Sequence, residues 1–209
     1  MRRRDYKEFA SGVSYHIYNR GNGKMDIFRD EQDYLNFLKR IRLALGKTKG
    51  APVSSIRLVP FEPDTFSLVS YCLMPNHFHL QIEQCGEVPL GKLLLKVCTS
   101  YSMYFNRKYD HTGHVFQDHF KSVPVQSENQ IAALSAYIHQ NPATARLVDS
   151  PEKWAFSSYP DYIGLRQGDL VDFDSVLGQF ESRDEYRLFV ENQSEGILER
   201  TNIEKLLLD

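Results

Sequence analysis

Residues 66–83, FSLVSYCLMPNHFHLQIE, decide the fold because they have the pattern of two strands joined by a tight turn. Residues 66–73 are mostly apolar and rich in β-formers, which is typical of a buried strand. Residues 74–76, Met-Pro-Asn, have turn chemistry, and apolar and polar residues alternate over residues 77–83. The stretch therefore predicts a β-hairpin whose returning strand begins at a histidine.

Strand and helix patterns alternate on both sides of this hairpin. Residues 13–19 alternate and are rich in β-formers, and residues 119–125 predict a last strand. The helical spacing of apolar residues predicts a helix near residues 31–45, which Asp30 or a neighbour can cap, and a longer one over residues 90–109. The order β-α-β-β-α-β predicts an α+β fold with a ferredoxin-like core and an antiparallel sheet.

A further helix follows the last strand. Ser127 can cap a helix over residues 128–140, with Gln130 completing a capping box, and Pro142 is expected to stop it. After about residue 150 the chain is rich in turns, and residues 184–208 again have a helical pattern. We therefore predict a helical C-terminal appendage on the core.

Charge is distributed unevenly over the 209 residues. The formal net charge is −2, but residues 161–209 contain 12 acidic and 5 basic residues, and the remaining residues contain 15 acidic and 20 basic ones. This asymmetry fits a basic working domain with an acidic tail, although a plain solvated tail has the same composition. We predict a main domain over residues 1–160 and an acidic helical appendage over residues 161–209.

Composition favours a protein of the cytoplasm. The mean hydropathy is −0.44, and no apolar run approaches the ~18 residues that span a bilayer. The basic start at residues 1–7 is not followed by the apolar stretch of a secretory signal. Cys72, Cys85 and Cys98 cannot all pair and have no metal-knuckle spacing, so they are predicted to be small buried hydrophobic residues. The sequence therefore predicts a soluble, reduced, cytoplasmic protein.

Two short sequence patterns contain residues that could bind a metal ion or act as a nucleophile. In His77-Phe78-His79 the alternation of a strand puts both imidazoles on one face, where they can converge on one cation, and Phe78 on the other. Tyr137 and Asn141 share a helix face if the helix reaches Asn141. A tyrosine hydroxyl can act as a covalent nucleophile, and an asparagine oxygen can bind the same metal. Taken singly, surface histidines and a core tyrosine are the commoner explanations.

Taken together, these patterns resemble one protein family. The matching stretches are Tyr15–Asn22, Tyr71–Leu80, Gly113–Gln117, Tyr137–Pro142 and Trp154–Tyr159. In these stretches the chain is similar to the HUH single-tyrosine transposases, and among them to the REP-associated tyrosine transposases. The resemblance covers residues 13–160, and Met-Pro-Asn-His-Phe-His is its most specific piece.

The resemblance implies metal-assisted cleavage of single-stranded DNA. His77 and His79, together with Asn141, would hold one Mg²⁺ or Mn²⁺ ion. Tyr137 would attack the phosphate, expel a 3′-hydroxyl and keep the 5′-phosphate as a phosphotyrosine; a free 3′-hydroxyl could reverse the step, which gives strand transfer. The expected partner is single-stranded DNA with a hairpin. The protein is expected to be a monomer or a homodimer, and relatives of the REP-associated branch are expected to act as monomers.

Basic and polar residues near these motifs are the candidates for binding DNA. They are Arg20, Asn22, Arg107, Lys108 and Lys121. A solvated surface position is the alternative for each of them. Residues 117–120, Gln-Asp-His-Phe, stand where the family usually has a Gly-Arg pair, which removes one expected phosphate contact.

Two other functions stay open at this point. The chain could be a regulator that keeps the fold and the hairpin recognition but does not cleave. It could instead be a hydrolase in which His77 and His79 activate water and Tyr137 is only structural, so that Tyr137→Phe would retain turnover. No carboxylate beside the two histidines completes such a hydrolytic site, which makes this alternative the weakest.

Overall fold

The computed structural model describes residues 9–47, 58–125 and 127–192. Its sheet is formed by strands β1 (Val13–Arg20), β2 (Phe66–Met74), β3 (His77–Gln84) and β4 (Lys121–Val125). All neighbouring strands are antiparallel, and the spatial order is β2-β3-β1-β4. The central pair is therefore β3 and β1, with Tyr18 opposite His79 and Arg20 opposite His77.

Two long helices connect these strands. Helix α1 (Glu31–Ala44) lies between β1 and β2 in the chain, and α2 (Leu90–Tyr109) lies between β3 and β4. A capping box marks the beginning of α1: the Asp30 carboxylate accepts from the Asp33 N–H at 3.1 Å, and the Asp33 carboxylate accepts from the Asp30 N–H at 3.4 Å. The predicted β-α-β-β-α-β order and the antiparallel sheet are confirmed.

Helix α3 (Glu128–Thr144) follows β4, and Pro142 does not stop it, so that prediction was wrong. Proline removes one N–H donor, but the carbonyls around it still find donors. Ala145 N–H donates to the Asn141 oxygen, and Leu147 N–H donates to the Pro142 oxygen, both at 2.9 Å. The predicted cap holds, since the Ser127 hydroxyl accepts from the Gln130 N–H at 3.4 Å.

Strand β4 begins two residues later than the sequence predicts, at Lys121 and not at His119. Local side-chain bonds explain the difference. The Asp118 carboxylate accepts from the His119 N–H at 2.8 Å, and the Asn19 amide donates to the Asp118 carbonyl oxygen at 3.1 Å. These bonds occupy backbone groups that a longer strand would need for its ladder.

The two faces of the sheet are covered by different helices. Phe78 of β3 packs on Phe37 of α1, with ring centroids 5.0 Å apart. The next residue, His79, points to the opposite face, where its ring lies 5.8 Å from that of Tyr137 in α3. Helices α1 and α2 thus cover one face of the sheet and α3 covers the other.

The chain after α3 packs back onto the same core. It contains the short helices α4 (Tyr159–Tyr162) and α5 (Asp174–Leu177) and then α6 (Arg183–Asn192). Buried side chains in this part belong to the main hydrophobic cluster, among them Tyr162, Leu170, Val176, Tyr186 and Val190. The predicted C-terminal helix is seen over α6, and its continuation to residue 208 lies outside the described residues. The boundary at residue 160 stays a prediction.

The aromatic segment before α4 attaches to both β2 and α1. The Trp154 indole N–H donates to the Leu73 carbonyl oxygen at 3.0 Å, and the Phe156 ring stacks on Tyr34 with centroids 3.8 Å apart. Among the cysteines, Cys72 is buried and Cys98 half-buried, but Cys85 is exposed where β3 has ended, so the prediction of burial was wrong for Cys85.

In the ranges that the structure describes, no helix is both long and apolar enough to cross a membrane. The cytoplasmic location stays a prediction.

Candidate active site

Backbone hydrogen bonds from two other segments hold the turn that leads into β3. The Gly21 N–H donates to the Asn76 carbonyl oxygen at 2.7 Å, and the N–H groups of residues 27–28 both donate to the Pro75 oxygen at 2.9 Å. Position 21 has to be glycine, because a Cβ there would lie 2.1 Å from the Met25 carbonyl oxygen. These contacts fix the place where the first histidine of β3 enters the sheet.

His77 and His79 lie on the face of the sheet that α3 covers. Their ring centroids are 5.0 Å apart and their planes are at 86° to each other. Phe78 between them is fully buried on the opposite face. The structure therefore brings the two imidazoles to one side, as the alternation of a strand predicts.

His79 is the more deeply buried of the two, with 2% of its surface exposed. Its Nδ1 atom lies 2.9 Å from Nε2 of His16, a residue of β1. Its Nε2 atom is buried and has no hydrogen-bond partner among the described residues. Burial, together with the neighbouring His16 and His77, holds the pKa of His79 well below its ordinary value, so its ring is neutral.

Helix α3 places Tyr137 against these histidines. The Tyr137 ring meets His79 edge to face at a centroid distance of 5.8 Å and His16 at 6.0 Å. Asn141 follows one turn later in the same helix, and its amide nitrogen donates to the Tyr137 carbonyl oxygen at 2.9 Å. Both side chains are half-buried. Since α3 continues past Asn141, the two residues share a helix face.

A buried polar network holds α3 from another side. His139 Nδ1 pairs with the Tyr186 hydroxyl of α6 at 2.7 Å, and its Nε2 pairs with the Ser158 hydroxyl at 2.8 Å. The Ser135 hydroxyl also meets that of Tyr186, at 2.8 Å. Burial lowers the pKa of His139 to about 3, so its ring is neutral. The network thus fixes α3, and with it Tyr137, relative to α6.

The types of donor atom at the site suit a divalent cation. His77 Nδ1 lies 2.6 Å from the Asn76 side-chain oxygen, and the Asn76 amide nitrogen donates to the Lys24 carbonyl at 3.3 Å. An amide oxygen only accepts, so the proton of a neutral His77 is on Nδ1 and its Nε2 carries a lone pair. The unpartnered Nε2 of His79 is the second ring nitrogen that a metal would satisfy. The Asn141 oxygen is a third candidate ligand.

In the described ranges, no group of three or more His, Cys, Asp or Glu residues could hold a metal ion. A cation here would therefore rely on two imidazoles and a neutral amide, a set that suits Mn²⁺ as well as Mg²⁺ once phosphate and water complete it.

The predicted DNA-binding residues lie in different parts of the molecule. Arg20 and Lys121 line a cleft of about 210 Å³ together with His77, Tyr18 and His119. The Lys121 ammonium lies 5.4 Å from the centre of the Tyr18 ring. This cleft puts two positive side chains beside the first histidine of the site.

Arg107 and Lys108 line another cleft, of about 1090 Å³, which α1 and α2 form on the opposite side of the sheet. The Lys108 ammonium is 2.7 Å from each carboxylate oxygen of Asp30 and 2.8 Å from Asp33. Asn22 is exposed in a short 3-10 turn, and its N–H donates to the Val115 carbonyl at 2.9 Å.

One residue of the site, His16, was missed from the sequence. His16 stands in a strand pattern, and only the pairing of β1 with β3 shows that it reaches His79. Gln117, Asp118 and His119 belong to the stretch 117–120 that was already noted from the sequence, and they line the same cleft as Arg20 and Lys121. The signal available for His16 was its alternation with Tyr15 and Ile17, which puts it on the less apolar face of β1.

Comparison with known proteins gives a family and a fold. Residues 10–141 match the family described as "Transposase IS200 like". A solved structure of a REP-associated tyrosine transposase bound to a REP hairpin is similar with a TM-score of 0.52 and 15% identity, over 82% of this chain and 96% of that one. A putative transposase from Deinococcus radiodurans R1 is similar at 14% identity, over 65% of this chain and 95% of that one, with a TM-score of 0.40. No match was found among the curated proteins.

Proposed function

The chain belongs to the IS200-like transposase family, and we propose that it cleaves and rejoins single-stranded DNA with the help of a divalent metal ion. In this proposal Tyr137 forms a covalent 5′-phosphotyrosine intermediate, and a DNA hairpin directs the protein to the cleavage site. The observation that carries the proposal is the position of the Tyr137 ring, 5.8 Å from that of His79, with Asn141 on the next turn of α3.

The residues of the site have separate tasks. His77, His79 and Asn141 would hold Mg²⁺ or Mn²⁺. The cation, when bound, would polarise the scissile phosphate and stabilise the charge that develops on its oxygens. Tyr137 would carry out the nucleophilic attack, and other groups would orient its side chain. Because α3 is held by buried hydrogen bonds through His139, the tyrosine is kept in place before DNA arrives.

The reaction exchanges one phosphodiester bond for another. The Tyr137 hydroxyl loses its proton to water and its oxygen attacks phosphorus. The bond from phosphorus to the 3′-oxygen breaks, and that oxygen takes up a proton to leave as a 3′-hydroxyl. A 3′-hydroxyl of the same or another strand can attack the phosphotyrosine in the reverse sense. No net oxidation and no external energy source is required.

The DNA strand would approach through the cleft that Arg20 and Lys121 line. Positive side chains there would neutralise phosphates next to the scissile one. A hairpin partner is supported by the similar solved structure, which is bound to a REP hairpin. Since Tyr137 and His79 of one chain already lie together, we propose that one monomer carries a complete site and that no second copy has to supply the tyrosine.

The test uses single-stranded oligonucleotides that carry hairpins and are labelled on the 3′ side of the scissile phosphate. They are incubated with Mn²⁺ or Mg²⁺ and the protein, and covalent adducts are separated on a denaturing gel. The wild type is expected to retain the label, and Tyr137→Phe and His77→Ala are expected to lose it. Tyr109→Phe is the matched control, because this tyrosine lies in α2 on the other side of the sheet and is expected to leave the adduct intact.

Cleavage by Tyr137→Phe that leaves no label on the protein would overturn the phosphotyrosine mechanism and favour the hydrolase, because water attack forms no covalent adduct. A label that stays on Tyr137→Phe would also overturn the assignment of Tyr137, since another side chain would then be the nucleophile. If no adduct forms, but a native gel shows that hairpins still bind, the protein is a hairpin-binding regulator and the catalytic proposal is wrong.

A further inference from the structure

His16 is buried in β1 beside the candidate metal site. Only 1% of its surface is exposed. It lies on the same face of the sheet as His79, and its Nε2 is 2.9 Å from His79 Nδ1. The two rings are almost parallel, with an interplanar angle of 17° and centroids 5.2 Å apart. A distance of 2.9 Å between two nitrogens means that one proton lies between them.

That proton can belong to either ring, and the choice decides whether His79 can bind a metal. If it belongs to His79 Nδ1, the Nε2 atom of neutral His79 carries a lone pair. If it belongs to His16, the proton of His79 must be on Nε2, which then cannot be a ligand. In that second arrangement a buried N–H would have no hydrogen-bond acceptor in the described part of the chain. Buried donors without acceptors are rare in proteins and cost about 1–3 kcal/mol.

His77, the first histidine of the site, already has its proton on Nδ1, as in the first of these two arrangements. His77 Nδ1 faces the Asn76 side-chain oxygen at 2.6 Å, so its proton is directed away from the cation site. A histidine that binds a metal through one nitrogen usually donates its other N–H to a fixed acceptor, which sets the tautomer and the ring orientation. Asn76 is that acceptor for His77. For His79, the atom next to Nδ1 is Nε2 of the His16 imidazole.

We infer that His16 is a positioning residue that accepts the Nδ1 proton of His79 and thereby presents the His79 Nε2 lone pair to the divalent cation; the inference rests on the proposed metal-dependent function. His16 also contacts the nucleophile, since its ring meets the edge of Tyr137 at a centroid distance of 6.0 Å. The Tyr18 ring packs beside both histidines, with its centroid 5.0 Å from that of His16 and 6.0 Å from that of His79. One buried side chain thus keeps a metal ligand and the nucleophile in a fixed relation.

The test compares two substitutions of His16 with different hydrogen-bonding capacity. In His16→Gln the amide oxygen reaches about as far as Nε2 and can accept the same proton. In His16→Phe a ring of similar size fills the space but cannot accept a proton. Mn²⁺ affinity is measured by electron paramagnetic resonance, with thermal unfolding as a check of folding. We expect His16→Phe to weaken Mn²⁺ binding by about 10–100-fold, as removal of such supporting residues does elsewhere, and His16→Gln to stay within about threefold of the wild type.

A second measurement needs no variant. In metal-free wild type, ¹⁵N NMR of the imidazole nitrogens reports which one carries the proton, and we expect the proton of His79 on Nδ1. Finding it on Nε2 overturns the inference, and so does equal Mn²⁺ affinity for wild type and His16→Phe, or equal weakening in both variants. The proposed function fails separately, if wild-type protein binds no Mn²⁺ or forms no adduct through Tyr137.

Discussion

The two faces of the sheet are built from different chemistry. On the α1/α2 face, the strands present apolar side chains such as Ile17, Phe78 and Leu80, all of which belong to the main hydrophobic cluster. On the α3 face the same strands bury polar groups, among them His16 and His79. Burial of apolar surface stabilises the fold, whereas burial of polar groups costs free energy unless each finds a partner. The apolar packing on the α1/α2 face therefore offsets the free-energy cost of burying polar site residues on the α3 face.

A second contrast concerns how well buried polar groups are satisfied. Asp33 on the α1/α2 side is fully buried, and its carboxylate accepts hydrogen bonds from the Lys108 ammonium, the Tyr104 and Tyr109 hydroxyls and the Arg29 N–H. His79, on the α3 face, is equally buried but keeps one ring nitrogen without a partner in the described ranges. A buried polar atom that a native protein leaves unsatisfied needs an explanation, and a bound ion is one such explanation. The difference separates a structural polar cluster from a candidate binding site.

The largest expected effect comes from His79→Leu, which removes a proposed ligand without a large change in volume. We expect the Mn²⁺ dissociation constant to rise by more than about 100-fold, beyond what the loss of a supporting residue costs. The free energy of unfolding should change by less than about 1.5 kcal/mol, since loss of the bond to His16 is offset by removal of an unpartnered buried nitrogen. Mn²⁺ titration and urea unfolding check the two parts. A large loss of stability with unchanged Mn²⁺ binding would mean that His79 is a core residue.

Phe78→Ala, at the neighbouring position, should have the reverse effect: a loss of stability without a loss of Mn²⁺ affinity. Phe78 is fully buried and packs on Phe37, so the change should leave a cavity on the α1/α2 face and cost about 3–5 kcal/mol of unfolding free energy. Because the side chain does not reach the α3 face, molecules that remain folded should bind Mn²⁺ with nearly the affinity of the wild type. Urea unfolding and Mn²⁺ titration of the same sample measure both quantities, and Phe78→Leu is the milder control. Loss of Mn²⁺ affinity in folded Phe78→Leu would contradict the separation of the two faces.

Asp33→Asn tests the satisfied polar cluster. Burial alone would raise the pKa of Asp33, but the hydrogen bonds from Lys108, Tyr109, Arg29 and Tyr104 outweigh it and hold this pKa below its ordinary value. The carboxylate therefore stabilises the fold above about pH 4, and this contribution is lost as the pH falls below that, towards the pKa of the folded state. We expect Asp33→Asn to cost roughly 1–3 kcal/mol at pH 7, because an amide that replaces one carboxylate oxygen with an NH₂ group leaves buried donors without their acceptor.

The measurement is urea unfolding at a series of pH values. The difference in stability between wild type and Asp33→Asn should shrink as the pH is lowered from about 5 to 2. A difference that is constant over this range would mean that the carboxylate charge does not contribute.

The sequence was sufficient for the parts of the fold that local patterns determine. Alternation and turn chemistry predict the hairpin of β2 and β3, and apolar spacing predicts α2 at its observed bounds, Leu90–Tyr109. What local patterns could not show are contacts that depend on tertiary pairing. His16 meets His79 only because β1 pairs with β3 in one register. Likewise, no periodicity reveals that Tyr186 of α6 bonds to His139.

The grouping of the candidate site residues was predictable for a related reason. Residues that stand two apart in a strand or four apart in a helix share a face, so His77 and His79, and separately Tyr137 and Asn141, could be grouped from the sequence. Which basic residues join them depends on the fold. Of the predicted DNA-binding residues, Arg20 and Lys121 lie at the cleft beside His77, whereas Lys108 is turned towards Asp30 and Asp33 on the α1/α2 side.

The smallest expected effect distinguishes the two lysines. Lys121 is exposed at the cleft beside the site and Lys108 is held by two carboxylates, so only Lys121 is placed to neutralise a phosphate. We expect Lys121→Gln to weaken hairpin binding about threefold. The slope of log affinity against log salt concentration should become shallower by about 0.7, which is the value for one phosphate contact on a single strand.

Lys108→Gln is the matched control. It should leave the affinity and the slope unchanged but lower the melting temperature, because it leaves the buried Asp33 carboxylate without its cation. Fluorescence anisotropy at several salt concentrations measures the first pair of values and thermal unfolding the last. If both variants lowered the slope equally, DNA would have to contact both faces of the sheet, and the α3 face alone could not be the DNA-binding surface.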